Sequence, residues 1–279
     1  ADRERLEHAL AQGDETHVAI ELLALARSHP GSPIAQAAGE RLQRLAKAAL
    51  ERAQAARGSD EAAERAALTI AYLATLEPES RKVLRARLEQ LTRTEIFSRK
   101  RSVECEEYKV VPGDSLSRIA KRFRFPVDGI MHVNHMRRTL IRVGQRLKIP
   151  RGPFEVLVIK GEYRLIALQD GKWLAEFPIG TGRDDSTPEA TFEITEKTKN
   201  PTWYAPDGVY PYGHPKNILG TRWLGFNDTE EHAGFGIHGT ARPESIGRSE
   251  SSGCVRMRNE DVEVLYGLIP TGSRVRILP

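Results

Sequence analysis

Through residues 1–100, Ala and Leu recur at helical spacing among Arg and Glu, and β-branched clusters are almost absent. That pattern predicts amphipathic helices. Gly13-Asp14 opens an apolar run from Val18 to Ala26, which stops at His29-Pro30-Gly31-Ser32-Pro33. Ser32 is placed to cap the next helix and Pro33 to occupy its first turn. That helix is expected to reach Arg57, where Gly58-Ser59-Asp60 breaks it; another runs to Glu77, and Pro78 starts a further one. From Phe154 the pattern changes to short runs punctuated by turns. Phe154–Ile159, Tyr163–Leu168 and Trp173–Ile179 read as strands around Gly161 and Asp170-Gly171. One late helix near Asn259–Gly267, capped by Asn259, and a closing strand, Ser273–Leu278, complete a mostly-β segment.

Between these regions lies a basic linker, Ser98-Arg99-Lys100-Arg101, and a unit of about 45 residues with βααβ order. Its strand at Tyr108 leads through a Pro112-Gly113-Asp114 turn into a capped helix. A second helix covers Val127–Asn134 and a strand covers Gln145–Pro150. The helical region also repeats itself: at an offset of 46 residues Asp14 falls on Asp60, Leu22 on Leu68, Arg41-Leu42 on Arg87-Leu88 and Leu45 on Leu91. It loosely resembles a tetratricopeptide-type array without the signature aromatics, and an unspecialised helical spacer accounts for it equally well.

The chain of 279 residues exceeds one ordinary domain. The expected division is 1–100 helical, 104–150 βααβ and 153–279 mostly β. No apolar run approaches the ~20 residues that span a bilayer. The chain begins at Ala1 rather than Met, which is compatible with a removed leader or anchor. Net charge is +4, with ten Lys/Arg against five Asp/Glu over 104–150, while 151–279 are slightly acidic. No nucleic-acid motif accompanies the charge, so nucleic acid is not an expected partner. Two cysteines, Cys105 and Cys254, exclude a disulfide scaffold but permit one bridge, which would silence Cys254.

The middle unit resembles a lysin-motif (LysM) domain. Tyr108-x-Val110-x-Pro112-Gly113-Asp114-Ser115-Leu116, then Asn134, then Gly144-Gln145-x-Leu147-x-Ile149-Pro150 match the family in order. The resemblance implies binding of N-acetylglucosamine-containing glycans in a groove formed by Gly113, Asp114, Ser115, Leu116 and Ile141. Val143 stands where the family often has Pro. His132 and His135 invite a metal reading, but a solvated helix face explains them more simply.

The candidate chemistry lies at Gly236-Ile237-His238-Gly239-Thr240 and Ser251-Ser252-Gly253-Cys254-Val255-Arg256-Met257. A free cysteine is most often a small buried hydrophobe. Here Gly253 lets backbone amides approach an oxyanion, and Ser251 and Ser252 are polar neighbours. Arg256 shares the face of Cys254 by the two-residue period, where a cation favours thiolate and can hold a carboxylate. His238, bounded by a glycine turn, can serve as base. A zinc site with His232 lacks ligand spacing, and Gly234-x-Gly236 is too short for a nucleotide fingerprint.

Residues 154–279 resemble the catalytic domain of bacterial L,D-transpeptidases, through Gly180-Thr181-Gly182, Thr187-Pro188, Leu219-Gly220-Thr221-Arg222-Trp223, Ile237-His238-Gly239-Thr240, Ser245-Ile246-Gly247 and the Ser251–Met257 run. The resemblance implies a sandwich-like β fold with Cys254 as nucleophile and His238 as general acid/base. It further implies that the Gly239 carbonyl orients the imidazole, Arg256 gives electrostatic support, and Gly253 and the Cys254 amide form the oxyanion hole. Ser251 and Ser252 would line the substrate site. Ala190 replaces a family Gly, which would strain a position of positive φ. The implied reaction forms 3→3 peptidoglycan cross-links through a Cys254 thioester with loss of terminal D-Ala. It needs no metal or organic cofactor and is open to carbapenems. A hydrolase using the same thioester and a non-catalytic wall-binding scaffold are the alternatives. Stem peptides and glycan strands are the expected partners, with a protein partner possible through the helical region. The place of action is expected to be the cell envelope, outside the cytoplasmic membrane.

Overall fold

Helix starts in the first hundred residues follow capping chemistry. The computed structural model describes residues 2–279. Its first five helices are α1 (Asp2–Gln12), α2 (Glu15–Ser28), α3 (Pro33–Ala56), α4 (Glu61–Ala74) and α5 (Pro78–Glu95). Asp14 accepts from the His17 amide at 3.0 Å, Ser32 from Ala35 at 3.1 Å and Asp60 from Ala63 at 2.9 Å. The 46-residue offset carries α2 onto α4 at both ends, so the sequence repeat is a repeat of helical hairpins. Its second helices differ, with 24 residues in α3 and 18 in α5.

The βααβ unit comprises β1 (Cys105–Lys109), α6 (Leu116–Phe123), α7 (Val127–Val133) and β2 (Arg146–Pro150), with β1 and β2 antiparallel from Cys105–Pro150 to Lys109–Arg146. Asn134 ties its halves together: its amide nitrogen donates to Ile130 and Lys148 carbonyls, both at 2.8 Å, and its oxygen accepts from the Lys148 amide at 2.7 Å. Leu116, Ile119, Ile130 and Leu147 form its core.

The β region contains β3 (Phe154–Ile159), β4 (Arg164–Gln169), β5 (Lys172–Pro178), β6 (Thr181–Gly182), β7 (Thr191–Lys199), β8 (Trp203–Ala205), β9 (Gly208–Tyr210), β10 (Arg222–Phe226), β11 (Gly236–His238), β12 (Ser249–Ser251), β13 (Val255–Arg256), α8 (Asn259–Leu268) and β14 (Arg274–Leu278). Eight strands make one sheet in the order β13-β11-β10-β7-β14-β3-β4-β5, parallel at β13/β11 and at β14/β3. Val156, Leu165, Phe177, Ile194, Leu224 and Val255 share one core, so both ends of the sheet curl around the same apolar interior.

The back of that sheet explains the helices. Strands β3 and β4 are apolar at consecutive positions, as in strands buried on both faces. Val156, Val158 and Leu165 face the β core, whereas Leu157, Ile159, Ile166, Leu168, Trp173 and Leu278 join the core of α2 and α4 with Leu22, Leu23 and Tyr72. Polar contacts frame the seam. Arg65, wholly buried, donates to the Trp173 carbonyl at 3.0 Å, and the Trp173 amide donates to Thr69 at 2.9 Å. Arg81 pairs with Glu162 at 2.7 Å, Arg85 with Glu176 at 2.9 Å and Arg276 with Glu21 at 3.0 Å. The helical region is therefore no detached spacer, and the face of α2 and α4 that could receive a partner is filled by this chain's own sheet.

The basic linker is likewise docked: Lys148 donates to the carbonyls of Glu95 at 2.5 Å, Ser98 at 3.2 Å and Lys100 at 2.7 Å. On its other side α7 meets α8 at backbone distance. A Cβ on Gly129 would lie 2.3 Å from the Gly267 carbonyl oxygen, and Phe125 stacks on Phe154 at 5.2 Å.

Several expectations change. Asn259 does not cap α8; Arg258 holds the cap position, and the Asn259 side chain accepts from the Thr221 amide at 3.1 Å. Ala190 is not among the residues with positive φ and packs against the β core, so the expected strain does not arise. Cys105 and Cys254 are both free thiols, and burial pushes the Cys105 thiol up to about 11. His132 sits edge-on to Phe97 at 5.2 Å, while His135 has left the helix at φ 53°.

Candidate active site

Strand pairing assembles the candidate residues. On β11 and β13, Ile237 pairs with Val255 and His238 with Arg256; Ile237 and Val255 point into the core. The two-residue period then sends His238, Cys254 and Arg256 to the opposite face. They open on one cavity of about 710 Å³, whose other walls include Trp203, Tyr204, Leu219 and Trp223. The indole of Trp223 lies across two glycines. A Cβ on Gly225 would sit 2.7 Å from its Nε1, and one on Gly236 would sit 2.6 Å from its far ring edge. The same indole tilts over His238 with centroids 6.1 Å apart.

His238 is 2% exposed, and its Nδ1 donates to the Gly239 carbonyl at 2.5 Å. A carbonyl only accepts, so Nδ1 carries the proton and Nε2 is left as the acceptor. Burial pulls the imidazole down to about 4, with the Arg256 charge adding to the shift and the Gly239 bond opposing it. The Gly239 position is itself fixed from behind by Asn259, whose side-chain oxygen lies 2.2 Å from where a Cβ on Gly239 would be.

The Cys254 thiol is directed at the Gly234 carbonyl, 3.8 Å away. Burial raises its pKa, while the Gly236 amide and the Arg256 charge act in the other direction and are weaker. The resting pair is a neutral thiol and a neutral imidazole, not the thiolate expected from a cysteine beside a cation. Arg256 is 5% exposed, with Nε and Nη1 buried and without hydrogen-bond partners among the described residues. Burial and nearby Arg242 lower its pKa. A buried, unpaired guanidinium is costly unless an anion joins it.

Two sequence assignments shift. Ser251 donates to the Cys254 carbonyl at 2.7 Å and accepts from the Gly253 amide at 3.1 Å, and it is 1% exposed. It builds the turn, and it occupies the Gly253 amide that was expected to serve an oxyanion. Gly253 is needed for its backbone instead: φ is +128°, and a Cβ would lie 2.5 Å from the Phe235 ring. Ser252 is exposed, and both Ser251 and Ser252 border the cavity. Thr187 was missed as a site residue although its Thr-Pro motif was noted; its hydroxyl donates to the Gly253 carbonyl at 2.8 Å and accepts from the Gly182 amide at 2.7 Å. Trp223, Asn259 and Glu196 were missed as well, because strand register brings Trp223 and Glu196 to the site and the packing of α8 brings Asn259.

The LysM candidates divide. Asp114 accepts from the Tyr108 hydroxyl and the Val111 amide, each at 2.9 Å, Ser115 caps α6, and Leu116 is 3% exposed in the core. These three shape the loop. Gly113, with φ +86°, turns it, while Ile141 is half-buried beside exposed Leu140 and Val143.

Residues 153–277 match the family model of the L,D-transpeptidase catalytic domain (YkuD), and residues 108–150 match that of the LysM domain. YqjB of Bacillus subtilis (strain 168), named as an L,D-transpeptidase, is 42% identical over 132 residues, which is 46% of this chain and 73% of its own. YkuD of the same organism, similarly named, is 32% identical over 177 residues, covering 61% of this chain and 97% of its own. Among solved structures, the catalytic domain of the E. faecium L,D-transpeptidase aligns at 23% identity over 45% of this chain and 97% of that one, with a TM-score of 0.37. A relative above 30% identity matched over nearly its whole length, together with both domain models in order, settles the lineage: this chain belongs to the L,D-transpeptidase family.

Proposed function

We propose that the protein is a peptidoglycan L,D-transpeptidase that forms 3→3 cross-links through a Cys254 thioester. The observation that carries this reading is the shared cavity of Cys254 and His238, with the imidazole held by Gly239 so that Nε2 is free to take a proton, beside the unpaired guanidinium of Arg256. Cys254 Sγ attacks the carbonyl of the third stem residue as its proton passes to His238 Nε2. Collapse of the tetrahedral intermediate breaks the peptide bond, and His238 returns the proton to the departing D-Ala amine. The side-chain amine of a neighbouring stem then attacks the thioester. Its proton passes through His238 to the sulfur, restoring the thiol. With the Gly253 amide engaged by Ser251, the Cys254 amide is the backbone donor assigned to the oxyanion. Arg256 supplies the charge that receives a substrate carboxylate.

The LysM unit is proposed to hold the glycan strand, and the site of action is the wall outside the cytoplasmic membrane. No helix among the described residues is long and apolar enough to cross a membrane.

The test is incubation with disaccharide-tetrapeptides followed by mass spectrometry. Cross-linked dimers with loss of D-Ala are the expected products; tripeptides alone would reassign the enzyme to hydrolysis. Cys254→Ala should abolish product formation by at least about a thousandfold while retaining glycan binding. Cross-linking by that variant would end the thioester mechanism. Absence of a carbapenem adduct on the folded wild-type protein would favour the non-catalytic scaffold.

A further inference from the structure

The cleft has an acidic far end, and a backbone irregularity puts it there. Along β10 and β7, Trp223 pairs with Thr198, Leu224 with Lys197 and Gly225 with Glu196, but the next pair is Phe226 with Ile194. Thr195 is the extra residue of a β-bulge, a device that re-aims side chains beside sites. Before it Phe192 and Ile194 face the β core; after it Lys197 takes the core side, and Glu196 and Thr198 turn to the cleft. Lys197 is secured under α8 by the carbonyls of Tyr266 at 2.5 Å and Ile269 at 2.6 Å. Without the bulge the cleft would receive the lysine rather than the glutamate.

Glu196 stands in register with the nucleophile. Gly225 pairs with both Glu196 and Gly236, and Gly236 precedes the Ile237–Val255 pair as Cys254 does. The row is therefore Glu196, Gly225, Gly236, Cys254. It spans three interstrand spacings, about 14 Å, with two positions lacking a Cβ between its ends. Trp223 roofs those glycines, so the floor between sulfur and carboxylate is a flat indole. Glu196 is exposed, accepts from the Thr198 hydroxyl at 2.7 Å, and has no cationic partner among the described residues.

We infer that Glu196 is a specificity residue that receives the side-chain ammonium of the acyl donor's third residue. This rests on the function proposed above. With that residue's carbonyl on Cys254, a diamino acid side chain extended along the indole covers the remaining gap to the carboxylate. The ammonium held at Glu196 belongs to the donor, because an amine held a whole cleft away cannot attack the thioester.

The test uses two tetrapeptide donors differing only at position three, lysine against norleucine, which keeps the aliphatic chain and lacks the amine. Single-turnover acyl-enzyme formation is followed by mass spectrometry, without dependence on the acceptor. The wild type is expected to prefer the lysine donor about fivefold in acylation kcat/KM, the scale of an exposed ion pair. Glu196→Gln should bring the ratio to about one, and Glu196→Lys should invert it. A ratio unchanged in Glu196→Gln overturns the assignment, as does an effect confined to the acceptor half-reaction. Failure of the wild type to form an acyl-enzyme with any tetrapeptide or carbapenem would instead overturn the proposed function, which separates the two.

Discussion

His238 and Cys254 show how burial outweighs proximity of charge. A cysteine beside a histidine and an arginine suggests a thiolate, yet desolvation raises the thiol and lowers the imidazole to about 4. Both shifts favour a neutral pair at neutral pH, so in the proposed reaction proton transfer would accompany attack rather than precede it. Acylation by a carbapenem should be flat from roughly pH 5 to 8 and fall as pH drops through about 4, where His238 becomes charged. Alkylation by iodoacetamide, which reports thiolate alone, should still be rising above the ordinary cysteine range. A plateau in that rate at acidic pH would show a preformed ion pair instead. The candidate nucleophile and base could be named from the sequence because glycine-bounded motifs hold them. The roles of Ser251 and Gly253 could not, since both are set by a three-residue turn whose hydrogen bonds have no periodic signature.

At the scale of elements, the helical repeat was legible because its caps, Asp14 and Asp60, recur with the apolar pattern. What the helices pack against was not, because an apolar face does not name its partner. The consecutive apolar residues of β3 and β4 carried that information, and reading them only as strands overlooked it. His17 marks the seam: it lies between Asp14, at 2.6 Å, and Glu155 on β3, at 3.0 Å. The Glu155 bond is the largest cause of a pKa raised to about 9, burial opposes it, and Asp14 adds to it. With the folded value above the unfolded 6.5, the clasp contributes fully below pH 6.5 and is lost as pH rises through about 9. The gain is at most about 3 kcal/mol. The wild-type Tm should decline across that window relative to His17→Gln, and parallel Tm curves would show that the clasp contributes nothing. The contact of α7 with α8 depends equally on one residue. In Gly129→Val, the added carbons meet the Gly267 carbonyl and the Phe125 ring, so the LysM unit should lift from the β region. The expected signs are a loss of about 2–4 kcal/mol and faster hydrogen exchange in α7 and α8, with the LysM core retained.

Over the whole molecule, these seams make three sequence units into one body. A flexible tether would raise local substrate concentration over a range of distances. A LysM unit docked by Phe125, Gly129 and Lys148 would instead hold the proposed glycan groove at one distance from Cys254. The helices contribute in another way. Removing residues 1–100 would uncover Leu157, Ile159, Ile166, Leu168, Trp173 and Leu278, all now within 3% of full burial, as one contiguous face. Patches of that kind drive association. The shortened protein is expected to aggregate or to bind hydrophobic dyes, even though every residue of the candidate site remains. Replacing Trp173 with Ala in the full chain should cost about 3–5 kcal/mol, because the buried indole fills the seam between the sheet and the helices. Calorimetry of the intact chain should give one cooperative transition for the helices and the β region, since the two share one buried core. Separate transitions for the helices and the β region would mean that the seam is only a contact, and the shortened chain would then remain soluble and able to form a carbapenem adduct.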